Sequence, residues 1–135
     1  MRTICTSGYF NPLHRGHIDL FREAKKLGDR LVVIVNNDEQ VKFKGSVPFM
    51  DEEERIIMVD AVRYVDEVIL SVDTDRNICK TLELVKPDVF VKGGDSRVDN
   101  TPELELCAQI GIECLFNVGG EKTQSSSWLK DKAKQ

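Results

Sequence analysis

The sequence predicts an α/β fold: a five-stranded parallel sheet with helices on both faces, in one domain spanning residues 1–135. Three observations predict it. Short apolar runs alternate with amphipathic stretches along the chain. One of those runs, Leu31-Val32-Val33-Ile34-Val35, is almost wholly β-branched, as in a strand covered on both faces. The first strand, the helix after it and this second strand fit within about 35 residues, the length of a βαβ unit with its right-handed crossover.

The elements follow in order. The first strand is Thr3 to Ser7. A helix from Gly16 to Leu27 repeats Ile18, Phe21, Ala24 and Leu27 at three-residue steps, sets Arg22, Lys25 and Lys26 opposite, and ends at Gly28. Asn36-Asn37-Asp38 closes the second strand, and Gln40 to Gly45 reads as a loop with alternating lysines. Asp51 and Glu54 form a capping-box pattern for a helix through Val62, whose acidic first turn suits the helix dipole. Val68 to Leu70 is the third strand. Asp73-Thr74-Asp75 caps a helix of Arg76 to Val85 that turns Ile78, Cys79, Leu82 and Val85 inward, and Val89 to Val91 is the fourth strand. A helix from Pro102 to Ile110 has proline at its first position and Leu104, Cys107 and Ala108 inward; Ile112 to Asn117 is the fifth strand. A serine-rich stretch then opens a last helix, in which Trp128 is a packing residue, and the residues from Lys130 onward fray.

Bulk properties exclude several classes. The composition, 41% hydrophobic and 31% charged, is that of a soluble globular protein. A net charge of -4 argues against a general nucleic-acid surface, so any phosphate-binding cations must be placed locally. No apolar run approaches the ~20 residues of a membrane span. The chain enters a strand at once, without a leader pattern, and its four cysteines are widely spaced with no CxxC pair. Reduced thiols and a cytoplasmic location are expected.

The chemistry gathers at Gly8-Tyr9-Phe10-Asn11-Pro12-Leu13-His14-Arg15-Gly16-His17, between the first strand and the first helix. These are the chain's two histidines, and they stand at a helix mouth where free backbone N–H groups and a partial positive charge favour phosphate. Gly16 leaves room for a ligand to approach the backbone. The alternatives are a metal pair or two surface histidines; no third histidine or nearby cysteine completes a metal site. The absence of GxGxxG after the first strand disfavours a dinucleotide oxidoreductase.

His14-x-Gly16-His17 after Gly-x-Phe resembles the HxGH motif of the cytidylyltransferase-like nucleotidyltransferases. The resemblance implies a Rossmann-like three-layer core and the transfer of a nucleotidyl group from a nucleoside triphosphate to a phosphate-bearing small molecule, with release of pyrophosphate. It implies catalytic roles for His14, His17 and Lys44, with Lys42 beside Lys44 on a basic arm, and Mg²⁺ riding on the triphosphate. It extends a nucleotide-binding role to Gly8, Tyr9, Phe10, Asn11 and Gly16. Asn11 stands where the small cytidylyltransferases and heptose-phosphate adenylyltransferases usually carry Asp; other branches use Asn-Pro.

Further segments extend the resemblance over most of the chain. Arg55 matches a family arginine that supports the active-site loop or phosphates. Arg63-Tyr64-Val65-Asp66-Glu67-Val68-Ile69 is similar to a segment of the glycerol-phosphate cytidylyltransferases in which the arginine contributes to the nucleotide site. Lys92-Gly93-Gly94-Asp95 resembles the KGGD of the heptose-phosphate adenylyltransferase domain. Gln124-Ser125-Ser126-Ser127 occupies the place of a TxxISTT-type phosphate-binding motif, with Ser for Thr. The Lys92-Gly93-Gly94-Asp95 resemblance implies ATP with a sugar 1-phosphate acceptor and is favoured; the alternative, implied by the Arg63-Tyr64-Val65-Asp66 resemblance, is CTP with glycerol or another polyol phosphate. A regulatory module that binds nucleotide without catalysis is the rival of another class. Small relatives imply a homodimer.

Overall fold

The computed structural model describes residues 1–43, 45, 47, 49–75, 77–93, 101–115 and 118. Its elements are β1 (Thr3–Gly8), α1 (Arg15–Lys25), β2 (Arg30–Val35), α2 (Asp38–Phe43), α3 (Glu52–Asp60), β3 (Glu67–Leu70), α4 (Cys79–Val85), β4 (Val89–Val91), α5 (Thr101–Ile110) and β5 (Glu113–Leu115). The five strands form one sheet in the order β3-β2-β1-β4-β5, and every adjacent pair is parallel. The chain thus winds outward from β1 in both directions, and the two halves part between β1 and β4. In such sheets ligands bind at the carboxyl ends of the strands beside that parting.

Alternation along each strand divides the core into two layers. Ile4, Leu31, Val33, Val35, Val89 and Val91 face one side, where Phe21 and Ala24 of α1 and Val59 of α3 cover them. Cys5, Ile34 and Phe90 face the other, under Leu82 of α4 and Cys107 of α5. Both faces are therefore closed by helices, and β2 is buried from Leu31 to Val35, which is why it reads as an unbroken apolar run.

Several elements differ from the sequence expectation. Gln40 to Phe43 belongs to a short helix, α2, because Asn37 caps it: Asn37 Oδ1 accepts from the Gln40 N–H at 2.9 Å, and Val41 is buried. α4 begins at Cys79, yet its capping aspartate is the expected Asp73, whose carboxylate accepts from the N–H groups of Lys80 (3.0 Å) and Thr81 (3.1 Å). In α1 the buried residues are Leu20, Phe21 and Ala24, while Leu27 lies past the helix and is exposed. Gly28 is needed for close approach: a Cβ there would stand 2.7 Å from the Arg2 carbonyl oxygen, where the turn into β2 passes the start of β1. All four cysteines are free, and burial pushes the Cys107 thiol up to about 12, so it stays protonated at neutral pH.

Candidate active site

The site begins where β1 ends. Phe10 has φ +51°, in the left-handed region that costs a side-chain-bearing residue about 1–2 kcal/mol. That turn throws the Phe10 ring back under Gly8, where a Cβ would stand 2.9 Å from the ring, and leaves Phe10 only 1% exposed. The ring meets His17 edge-on at 4.8 Å between centroids and Phe21 at 5.5 Å. Phe10, expected among the nucleotide-binding residues, is thus a core residue whose job is to seat His17. Gly8 permits it.

His14 and His17 lie stacked, with ring centroids 3.8 Å apart and planes at 26°. They cap α1 reciprocally. His14 Nδ1 accepts from the Gly16 N–H at 3.0 Å, and His17 Nδ1 accepts from the His14 N–H at 3.1 Å. This is a capping box built from two imidazoles. It has a chemical consequence. A nitrogen that accepts a backbone N–H carries no proton, so each neutral ring carries its hydrogen on Nε2. Burial lowers the pKa of His14, and burial together with the charge of His14 takes His17 down to about 3. Both rings are therefore neutral Nε2–H donors at neutral pH, and His14 Nε2 is buried with no partner among the described residues. Gly16, at the second position of α1, gives its N–H to this cap.

Around this pair the other expected residues fall into three groups. Lys92 and Gly93 leave the carboxyl end of β4, which pairs with β1. Lys92 Nζ stands 5.1 Å from the Phe90 ring centroid and 3.4 Å from Glu103 Oε2 on α5. Gly93 faces Leu20 of α1. These residues come to the same edge of the sheet as the histidines. Lys42 is exposed on α2, after the carboxyl end of β2, on that edge as well.

Arg55 and Arg63 form the second group: Arg55 supports the active-site loop from inside the protein, as the resemblance implies, while Arg63 departs from expectation. Arg55 is 0% exposed and spends its guanidinium on the protein. Nη1 donates to the carbonyls of Tyr9 (2.8 Å) and Asn36 (2.6 Å), Nη2 to Asp38 Oδ1 (2.7 Å), and Nε to the Met50 carbonyl (3.1 Å). It fastens the ends of β1 and β2 to α2 and α3 from behind. Arg63 is exposed in the turn that leads into β3; Asp66, three residues on, donates its N–H to the Leu31 carbonyl at the start of β2. Arg63 therefore lies at the amino edge of a parallel sheet whose carboxyl edge holds the histidines, and β1 alone spans about 20 Å. The chain does not bring Arg63 to the pair. Asn11 is buried and turned to residues 47 and 49, with its side-chain oxygen and nitrogen both bonded there; Tyr9 contributes its carbonyl to Arg55.

The third group, Lys44, Gly94, Asp95, Gln124, Ser125, Ser126 and Ser127, lies outside the described residues. Two residues the sequence did not single out belong to the site's frame. Asp38 holds Arg55, and Glu103, 7% exposed, faces Lys92. An acidic residue in the first turn of α5 was the available signal for Glu103, but ordinary dipole capping explains that pattern equally well.

A parallel α/β sheet with its switch point beside a helix-mounted pair of imidazole donors defines a phosphate-handling protein of the nucleotidyltransferase class. The chain belongs to the cytidylyltransferase-like family, whose model matches residues 5–111. It is 38% identical over 134 residues to a FAD synthase of Thermoplasma volcanium, covering 96% of this chain and 93% of that one. A FAD synthase of Archaeoglobus fulgidus is 46% identical over 108 residues, 80% of this chain and 77% of that one. The bifunctional protein HldE of Hydrogenovibrio crunogenus is 39% identical over 131 residues; this chain covers 94% of its own length there but only 25% of that protein. Among solved structures, a lipopolysaccharide core biosynthesis protein from Thermoplasma volcanium superposes with a TM-score of 0.76 at 33% identity, over 86% of this chain and 95% of that one. No helix among the described residues is long and apolar enough to cross a membrane.

Proposed function

We propose that this chain, as a single domain, transfers an adenylyl group from ATP to a phosphorylated small molecule and releases pyrophosphate. One observation carries the reading: two neutral imidazoles whose Nε2–H tautomers are fixed by a reciprocal helix cap, at the carboxyl end of β1 beside the sheet's switch point. A substrate phosphate oxygen attacks the α-phosphorus, the bond to the bridging oxygen breaks, and pyrophosphate leaves with the negative charge. Nothing in this displacement needs a covalent protein nucleophile. It needs positioned donors where charge accumulates. His14 and His17 donate from Nε2 to the phosphate oxygens, and because Nδ1 accepts from the backbone, each ring keeps its hydrogen on Nε2. Lys42, Lys44 and Lys92, with the N–H groups near Gln124 to Ser127, balance the charge of the β- and γ-phosphates; Gly93, Gly94 and Asp95 receive the nucleoside.

The described residues include no group of three or more His, Cys, Asp or Glu placed to hold a metal. Mg²⁺ in this proposal arrives with the triphosphate, held by phosphate oxygens and water, and no step is routed through a protein-bound ion. The names of the relatives favour ATP: FAD contains an AMP moiety joined to riboflavin phosphate, and FAD synthases of two organisms align along most of this chain. The acceptor is then riboflavin phosphate or a sugar 1-phosphate. The alternative, CTP with a polyol phosphate, rests on the Arg63 to Ile69 segment, and the position of Arg63 at the far edge of the sheet weakens it. The enzyme acts on soluble small molecules in the cytoplasm, and a homodimer is expected; sedimentation at micromolar concentration tests the latter. The reaction is tested by pyrophosphate release with Mg²⁺ and each of ATP, CTP, GTP and UTP against riboflavin phosphate, sugar phosphates and polyol phosphates. Release with ATP and one acceptor is expected. Release with CTP alone overturns the adenylyl assignment, and silence together with no thermal shift by any triphosphate overturns the nucleotide site.

A further inference from the structure

Asn11 differs from the other residues of the HxGH turn in what its side chain does. It is 2% exposed, and both ends of its amide reach across the chain to one segment. Oδ1 accepts from the Phe49 N–H at 2.7 Å, and Nδ2 donates to the Val47 carbonyl at 3.1 Å. The side chain thereby makes the pair of bonds that a neighbouring strand would make, to a segment 36 and 38 residues away. Arg55 grips the next residue, donating to the Met50 carbonyl at 3.1 Å while its Nη1 donates to the Tyr9 carbonyl at 2.8 Å. Residues 47, 49 and 50 are thus tied to residues 9 and 11 of the turn by two buried side chains.

We infer that Asn11 is a positioning residue: it clamps residues 47 and 49, which lie between α2 and α3, onto the HxGH turn, and so sets where Lys42 of α2 stands relative to the two histidines. The amide is required for both bonds. A carboxylate accepts from the Phe49 N–H but has no hydrogen for the Val47 carbonyl, and two oxygens 3.1 Å apart with no proton between them repel. The chemistry of the contact therefore explains why a residue isosteric with Asp, and not Asp itself, occupies this position. The kinetic part of this inference rests on the nucleotidyltransferase reading; the clamp itself does not.

Asn11→Ala and Asn11→Asp test it, with amide hydrogen exchange at residue 49 read beside KM and kcat for the triphosphate. In Asn11→Ala the Phe49 amide should exchange about tenfold faster, since it loses its side-chain acceptor and the segment loses both bonds to the turn, and KM should rise by a similar factor while kcat changes less. In Asn11→Asp the Phe49 amide should keep its protection, and KM should still rise, because only the Val47 bond is lost. If Asn11→Ala does not fold, the Asp variant carries the test alone. Unchanged exchange at residue 49 in the Ala variant overturns the clamp. So does a rise in exchange that is uniform along the chain with KM unmoved, which would mark Asn11 as a general stability residue. If wild-type protein releases no pyrophosphate with any substrate pair, the functional reading fails, and the exchange result still decides the clamp.

Discussion

Lowering the pH should destabilise this fold through His17, and the size of the effect follows from its environment. In the folded chain burial holds its pKa at about 3, whereas an unfolded histidine titrates near about 6.5. Between those values the unfolded chain binds a proton that the folded chain refuses, so stability is complete above about pH 6.5 and falls as the pH drops toward 3. Each pH unit in that window is worth about 1.4 kcal/mol, so moving from pH 7 to pH 5 should cost about 2 kcal/mol from His17 alone. His14, lowered in the same direction, adds to this. Against a domain stability of about 5–15 kcal/mol, the loss is easily read from urea midpoints at the two pH values. His17→Asn removes the titrating ring and should flatten the difference by about that amount. An equal pH dependence in wild type and His17→Asn would refute the neutral, buried imidazole on which the donor role depends.

Other perturbations probe the frame around the pair. Arg55→Met should cost about 3–5 kcal/mol, because it strands the Asp38 carboxylate and three carbonyl oxygens; a denaturant midpoint checks it, and a loss under about 1 kcal/mol would mean those groups find water. Gly8→Ala places a Cβ 2.9 Å from the Phe10 ring; displacing that ring should cost about 1–3 kcal/mol and lower turnover, because the ring seats His17, and the two effects are separated by measuring thermal midpoint and kcat on the same preparation. Arg63→Ala should leave the KM for the triphosphate within about threefold if a single chain forms the site, a difference under about 1 kcal/mol; a larger rise would bring Arg63 to the nucleotide from elsewhere.

Much of this arrangement is legible in the sequence because it is local. β2 reads as buried on both faces because Leu31 to Val35 are, and the paired histidines at the start of α1 mark a helix mouth by their spacing. What is not legible depends on contacts between distant positions. Asn11 reads as a ligand contact until the fold brings residues 47 and 49 to it, and Arg55 reads as a support for the active-site loop or the phosphates until four protein acceptors, on residues 9, 36, 38 and 50, close on it and leave only the loop. α2 was hidden because its lysines look like a solvated loop, and the Asn37 cap needs the turn in place to act. Arg63 shows the limit of carrying a motif across: the residues match, but the parallel topology puts the turn before β3 at the opposite edge from the histidines.

The central claim is that His14 and His17 serve as neutral Nε2–H donors to the phosphates during transfer. The direct measurement is the rate of pyrophosphate release from ATP with the best acceptor, for wild type, His14→Ala and His17→Ala, with thermal midpoints in parallel. Losing a preorganised donor of this kind costs about 10²–10³ in kcat, and that loss is expected in each variant that remains folded. Turnover within a few-fold of wild type in both folded variants would contradict the claim.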